Sequence, residues 1–95
     1  MIHGEAAVFF KQVTVGSTAT ALDIPPQFPG ISRAIIGVET ANVRCCYDGT
    51  NPTASIGQLL QAGCLYRLDG FRNVQQFRFI AVSGSPVLVY HLESI

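Results

Sequence analysis

Charged residues are scarce in this sequence. Asp, Glu, Lys and Arg together make up 13% of its 95 residues, whereas a typical soluble domain contains about 25%. The six basic residues are balanced by six acidic ones, and they are scattered along the chain. Nucleic-acid-binding proteins present a basic patch or stripe. The composition therefore argues against direct nucleic-acid binding, and it argues equally against binding to an anionic membrane surface.

Long apolar runs are also lacking. A membrane-spanning helix needs about 20 consecutive apolar residues, and no run in the sequence approaches that length. The N-terminal residues include Glu5 and lack the basic segment of a secretory signal. We therefore expect no contact with a membrane, and we expect the chain to stay in the compartment where it is made.

Cysteine is rare, with three residues that do not suggest a disulfide framework. Cys45 and Cys46 are adjacent on one predicted strand, so their side chains should point to opposite faces and cannot together bind one metal ion. We interpret one or two of the cysteines as small buried apolar residues. A disulfide from Cys64 to either Cys45 or Cys46 is the alternative if the strands are neighbours, although a cytosolic origin disfavours it.

The motifs of catalysis and cofactor binding are missing. The sequence contains no GxSxG nucleophile motif and no GxGxxG or GxxxxGK[ST] phosphate-binding loop. His3 and His91 stand at opposite ends of the chain, without metal-ligand spacing. Asp23, Asp48 and Asp69 lie in or beside turn segments, and a calcium site on these loops is a weak alternative because no Asp-x-Asp pattern is present. We predict no catalytic residue, no cofactor and no metal, and hence no enzyme.

Short strands separated by turns are what the sequence does contain. Runs of apolar and β-branched residues are bounded by Gly, Pro, Asp and Asn, as in strands joined by tight turns. The predicted strands cover residues 7–13, 14–21, 33–40, 43–47, 58–61, 64–68, 77–82 and 87–93. Turn signals every ~8–12 residues are typical of a sandwich or small barrel. We predict one all-β domain over residues 1–95, a β-sandwich or jelly-roll-like barrel of about seven or eight short antiparallel strands.

Four segments carry more local predictions. Gly37 is a possible bulge within its strand, and Gly49 is expected at a turn position with positive φ. Residues 71–76 are predicted to bridge two strands. Residues 57–63 contain a predicted strand, with a single helical turn as the alternative.

The abundance of apolar residues predicts self-association. They make up 48% of the chain, and monomers seldom tolerate large exposed apolar patches. The strand at residues 77–82 is apolar on both faces, so we expect it at the centre of a sheet or beneath a neighbouring subunit. The alternative is a monomer with an exterior rich in Ser, Thr, Gln and Asn.

The loop at residues 23–32 is unusually apolar for a connection, since connections normally run through water. Proline also restricts the free loop, which lowers the entropy lost on docking. We predict that this loop forms a protein interface. Its candidate contact residues are Ile24, Pro25, Pro26, Phe28, Pro29 and Ile31. The alternative is that Phe28 and the two isoleucines close one end of the sandwich core.

A family resemblance is carried by the turns that follow residue 46. The chain reads YDGTNPT and GQLLQAG, then a strand, Asp69-Gly70, FRFI and a final apolar strand. Over residues 19–93 this order resembles small virion structural proteins of tailed bacteriophages, which have β-sandwich or jelly-roll-like folds. A DGTxPT turn also occurs in Ig-like accessory domains. Those usually belong to longer chains and often have an aromatic pair before the Asp, where this sequence has Cys46-Tyr47.

The resemblance implies a capsid cement or decoration protein that stabilises the phage head by subunit-subunit contacts. It would be made in the host cytoplasm and located in the virion. The implied partners are further copies of itself, by analogy as a homotrimer, and the major capsid protein or other virion proteins. A tail, neck or fibre component is one alternative, and a carbohydrate-binding or Ig-like adhesion module is another. The absence of Trp weakens the last alternative, because sugar sites usually stack on exposed aromatic rings.

Overall fold

A computed structural model describes residues 6–28 and 30–94 of the chain. These residues form eight strands and one short helix. The elements are β1 (Ala6–Thr14), β2 (Thr20–Ala21), β3 (Ile31–Glu39), β4 (Val43–Cys46), β5 (Gln58–Leu60), β6 (Leu65–Asp69), α1 (Phe71–Gln76), β7 (Arg78–Ala81) and β8 (Val87–Ser94). The prediction of an all-β fold is confirmed.

The first strand pairs with the last, and the pairing continues inward along the chain. β1 pairs with β8, β2 with β7, β3 with β6 and β4 with β5, always antiparallel. Two further pairings, β3 with β8 and β4 with β7, complete two four-stranded sheets. Sheet A has the order β1-β8-β3-β6, and sheet B has the order β2-β7-β4-β5. Eight strands nested in this way make a two-sheet sandwich of the jelly-roll type.

The core lies between the two sheets and follows from the alternation of side chains along each strand. On β8 the inward positions are Leu88, Tyr90 and Leu92, each no more than 1% exposed. They belong to one apolar cluster with inward residues of sheet B such as Val43 and Phe79. β7 lies between β2 and β4, which confirms the prediction of a central position for this strand.

The strand predicted over residues 14–21 is much shorter than expected. Only Thr20–Ala21 pairs with β7, and Thr14 belongs to β1. The residues between them cross from sheet A to sheet B. The Val15 amide donates to the Pro86 carbonyl oxygen at 2.8 Å, whereas the Gly16 carbonyl accepts from Ala81 of β7 at 3.0 Å. A segment that changes sheets cannot remain one continuous strand.

Gly37 does not form the predicted bulge. It pairs in register with Leu65 on β6 and Val89 on β8. A Cβ atom at Gly37 would lie 3.0 Å from Val89 Cγ2 and 3.1 Å from Leu65 Cδ2, so glycine gives these two neighbours room to pack over the sheet. The register shifts of sheet A lie instead between residues 7 and 9 of β1 and between residues 31 and 33 of β3.

Residues 71–76, predicted as a bridge, form the helix α1. Val74 is buried, and its amide donates to the Gly70 carbonyl oxygen at 3.1 Å. Gly70, the residue that precedes the helix, has a positive φ of 93°. The alternative of a helical turn in residues 57–63 is wrong, because Gln58–Leu60 pairs with β4. No helix in the described part of the chain is long and apolar enough to cross a bilayer.

Candidate functional site

The predicted interface loop is largely folded into the protein. Pro25 is buried and Ile31 is only 1% exposed, so these two side chains are not available to a partner in the way the sequence suggested. Ile24 and Phe28 are half-buried and pack against the core. Pro26 is exposed, and Pro29 lies outside the described residues. The structure therefore favours the alternative in which the loop closes one end of the sandwich.

Contacts with β1 and β8 hold this loop in place. The Phe28 ring lies 6.4 Å from that of Phe9, and Phe9 lies 6.4 Å from Tyr90, measured between ring centroids. The Asp23 backbone amide donates to the Tyr90 hydroxyl at 2.9 Å, and the Asp23 carboxylate forms an ion pair with Lys11 at 3.1 Å. Burial raises the pKa of the Tyr90 hydroxyl. The loop is thus tied to the core by both apolar and polar contacts.

The turn after β4 has the predicted backbone conformation. Gly49 has a φ of 92°, which confirms the expected positive φ. The Thr50 amide donates to Asp48 Oδ1 at 3.0 Å, so the aspartate side chain closes an Asx turn. That hydrogen bond holds the pKa of the Asp48 carboxyl below its ordinary value. The residues that carry the family resemblance at this point therefore determine the backbone conformation of the turn.

The rest of the same loop, up to residue 57, folds back over sheet B. The Arg44 guanidinium, on the outer side of β4, donates to the Ala54 carbonyl oxygen at 3.1 Å and to that of Gly57 at 2.9 Å. The Thr53 hydroxyl accepts a hydrogen bond from the Ile56 amide at 3.0 Å. These contacts place the loop beside Ile80, which is 7% exposed although it points away from the core. The loop covers part of the outer face of sheet B, whereas Leu59 on β5 stays 38% exposed.

The cysteines show no reactive arrangement. All three are free, so the disulfide left open by the sequence is not formed. Cys45 is buried, and burial followed by the proximity of Cys46 raises the pKa of its thiol to about 11. Cys64 is exposed. Within residues 6–28 and 30–94, no group of three or more His, Cys, Asp or Glu side chains is placed to hold a metal ion.

The outer face of sheet A carries a band of apolar side chains that sequence reasoning missed. We call it the apolar band, and its members are Phe10, Ile35, Leu65, Val87 and Val89. Phe10 is 52% exposed and Leu65 is 76% exposed. Two neighbouring rows of the register contain most of these side chains, together with polar ones. One row is Phe10, His91, Ile35 and Arg67, and the next is Gln12, Val89, Gly37 and Leu65. His91 in turn stacks on Phe10, with ring centroids 4.8 Å apart.

Paired charges border the band at one end of the sheet. Arg33 contacts Asp69 at 2.9 Å and Glu93 at 3.3 Å. Arg67 contacts the other oxygen of Asp69 at 3.1 Å. The hydrogen bond from Arg33 is the main cause that lowers the pKa of the Asp69 carboxyl. Because opposite charges neutralise one another here, this end of the face carries no strong net field.

A cleft of about 330 Å³ opens between the two sheets, beside β5 and β6. β5 is an edge of sheet B and β6 is an edge of sheet A.

Comparison with known proteins finds no matching family model, no matching curated protein and no matching solved structure. The apolar band and this cleft are two features from which a function can be inferred.

Proposed function

We propose that this chain is a structural protein of a tailed-bacteriophage virion, a capsid cement or decoration protein that stabilises the head by subunit-subunit contacts. The observation that carries the proposal is the apolar band. Its two most exposed members, Phe10 and Leu65, keep 52% and 76% of their surface in water in the isolated chain. Burying apolar surface stabilises an assembly by roughly 25 cal/mol per Å², so covering this band favours association.

The fold and the sequence both support a structural role in a virion. Double-sheet jelly rolls recur in viral capsid domains, and they also occur in lectins and cupins. A fold alone does not define a function. The DGTNPT turn and the strand order after it resemble small phage virion proteins, and the turn is built from side chains that only shape the backbone.

The proposed partners are a second copy of the chain and the major capsid protein. The band lies on a face formed by four paired strands, which offers a broad and rigid surface. Its paired charges, Arg33 with Glu93 and Asp69, satisfy one another within the chain. The proposed contact is therefore driven by apolar burial and should depend little on salt concentration.

The association step is tested by replacing Leu65 with Asp. Leu65 is exposed in the isolated chain, so Leu65→Asp should preserve the fold while placing a charge in the proposed contact. We expect the wild-type protein to sediment with a mass above that of the 10.2 kDa monomer, and we expect Leu65→Asp to shift the observed mass toward the monomer value. Ile56→Asp is the matched control, because Ile56 is 67% exposed but lies on the loop over sheet B. A wild-type protein that stays monomeric and binds no capsid contradicts the proposal.

The virion assignment needs a separate experiment. Mass spectrometry of tailed particles purified from cells that express the gene should detect peptides of this chain at many copies per particle. Cryo-electron microscopy of the same particles would then locate the chain. Density on the head shell supports a cement or decoration protein, density on the tail, neck or fibre supports the alternative virion role, and absence from the particles refutes both.

A further inference from the structure

The cleft between β5 and β6 combines an apolar floor with a polar rim. The floor is formed by Ile36, Cys45, Leu60 and Phe77, each no more than 4% exposed. These side chains belong to the sandwich core, so the cleft reaches down to the core itself. A volume of about 330 Å³ falls at the lower end of the ~300–1,000 Å³ usual for small-molecule sites.

The rim contains aromatic, amide and charged side chains from both sheets. Tyr47 and Gln58 line it on the side of sheet B. Tyr66, Arg67 and Asp69 line it on the side of sheet A, and Asn73 of α1 completes it. Donors and acceptors therefore converge on the cleft from two directions.

Some of these groups are fixed by contacts within the chain, and others are not. The Tyr66 hydroxyl accepts from the Gln61 amide at 2.8 Å, and the Asn73 side-chain amide donates to the Asp69 carbonyl oxygen at 3.0 Å. The Tyr47 hydroxyl and the Gln58 side-chain amide make no hydrogen bond within residues 6–28 and 30–94. The cleft thus has rigid walls on the β6 side and two polar groups on the β4–β5 side that are free to bind a ligand.

We propose that this cleft binds a neutral saccharide of one or two sugar rings. A pyranose ring has apolar C–H faces, which suit the Tyr47 ring and the apolar floor, and hydroxyl groups around its edge. Each hydroxyl both donates and accepts, as do the amides of Gln58 and Asn73. Arg67 is paired with Asp69 at 3.1 Å, so the rim presents no isolated charge that would select an anionic ligand.

A purely apolar occupant fits the cleft less well. An inserted aliphatic or aromatic side chain would cover the floor but would offer no hydrogen-bond partner to the Gln58 amide and the Tyr47 hydroxyl, which are exposed at the rim. Displacing water from polar groups without replacing its hydrogen bonds costs free energy. A sugar satisfies both surfaces at once, which is why the mixed lining points to this class of ligand.

The test is a titration of ¹⁵N-labelled protein with glucose, galactose, mannose, N-acetylglucosamine and rhamnose, together with a printed glycan array. We expect at least one saccharide to bind at millimolar concentration or below and to shift the amide resonances of residues 45–47, 58–60 and 66–69. Tyr47→Ala should weaken that binding at least ~10-fold, and Gln58→Leu should weaken it ~5–10-fold, as loss of one hydrogen bond predicts.

Two controls separate binding from folding and from assembly. Phe71→Ala removes another exposed aromatic ring, one that does not line the cleft, and should leave saccharide binding unchanged. Leu65→Asp disrupts the apolar band and should also leave saccharide binding unchanged. The proposed saccharide site and the proposed assembly surface are therefore tested independently. The inference is overturned if no saccharide shifts these resonances, or if binding survives in both Tyr47→Ala and Gln58→Leu.

Discussion

Two glycines of the loop between β4 and β5 allow backbone strain and steric overlap to be measured separately. Gly49 and Gly57 both have positive φ, at 92° and 134°. A Cβ atom at Gly49 would meet nothing within 4 Å. At Gly57 it would lie 3.0 Å from Pro52 Cβ and 3.1 Å from the Cys45 carbonyl oxygen, which is backbone and cannot easily move. Alanine should therefore be much less tolerated at Gly57 than at Gly49.

The expected free energies follow from these two environments. For Gly49→Ala the only cost is the left-handed backbone, about 1–2 kcal/mol. For Gly57→Ala the backbone cost is of similar or greater size, and overpacking adds about 1–3 kcal/mol. We expect a total loss of about 3–5 kcal/mol at Gly57. In a domain of this size 1 kcal/mol corresponds to about 4–8 °C in melting temperature, so the Gly57 variant should melt at least ~4 °C below the Gly49 variant.

Reversible thermal unfolding followed by circular dichroism, with urea titration as a second measurement, would test this expectation. Gly16→Ala provides a control, because Gly16 has no positive φ and a Cβ there would also meet nothing within 4 Å. It should change stability by less than about 1 kcal/mol. If the Gly49 and Gly57 variants melt within about 4 °C of each other, the close approach of Gly57 to Pro52 and Cys45 does not contribute to stability and the reasoning is wrong.

Four further predictions concern the core and the thiols. Phe28→Ala should lower the free energy of unfolding by about 1–3 kcal/mol, less than the ~3–5 kcal/mol expected for a fully buried Phe, and should leave association unchanged. Loss of association with an unchanged melting temperature would instead indicate that the loop forms an interface. Tyr90→Phe should lower the free energy of unfolding in urea by about 0.5–1.5 kcal/mol, because the partly buried Asp23 amide loses its acceptor; an unchanged midpoint would refute that role. Maleimide should label exposed Cys64 rapidly and Cys45 slowly. Folding raises the pKa of the Cys45 thiol from 9.0 to about 11. The free energy that the neutral thiol contributes to the folded state is therefore fully present below pH ~9 and is lost as pH rises toward about 11. Cys45→Ala should reduce that loss.

Most strands were predictable because local patterns dictate them. The predicted strand at residues 87–93 and the observed β8 (Val87–Ser94) differ by one residue at the C-terminal end. Turn residues set the limits of β4, since Asp48 closes its own turn through the Thr50 amide. The positive φ of Gly49 could likewise be inferred from Asp-Gly alone. In these places the decisive interactions lie within a few residues in sequence.

The errors occurred where distant parts of the chain decide the outcome. Gly37 was predicted as a bulge, but its glycine is required by Val89 and Leu65, which arrive from two other strands. The apolar band could not be seen before the register of four strands was known, because its members are separated by polar or inward-facing residues in the sequence. The signal that could have suggested it is the alternation on each strand, which places Ile35 with Gly37 and Leu65 with Arg67 on outward positions.

The same tertiary arrangement indicates that three of the four edge strands are poorly suited to assembly. β1 is a long edge strand, but it carries a register shift near its start and Lys11 at an inward position, and both features oppose pairing with a further strand. The edges of sheet B, β2 and β5, are only two and three residues long. The outer face of sheet B is partly covered by the loop that Arg44 holds in place. A partner that covers the outer face of sheet A would meet Phe10 and Leu65 first, because they are the most exposed members of the band.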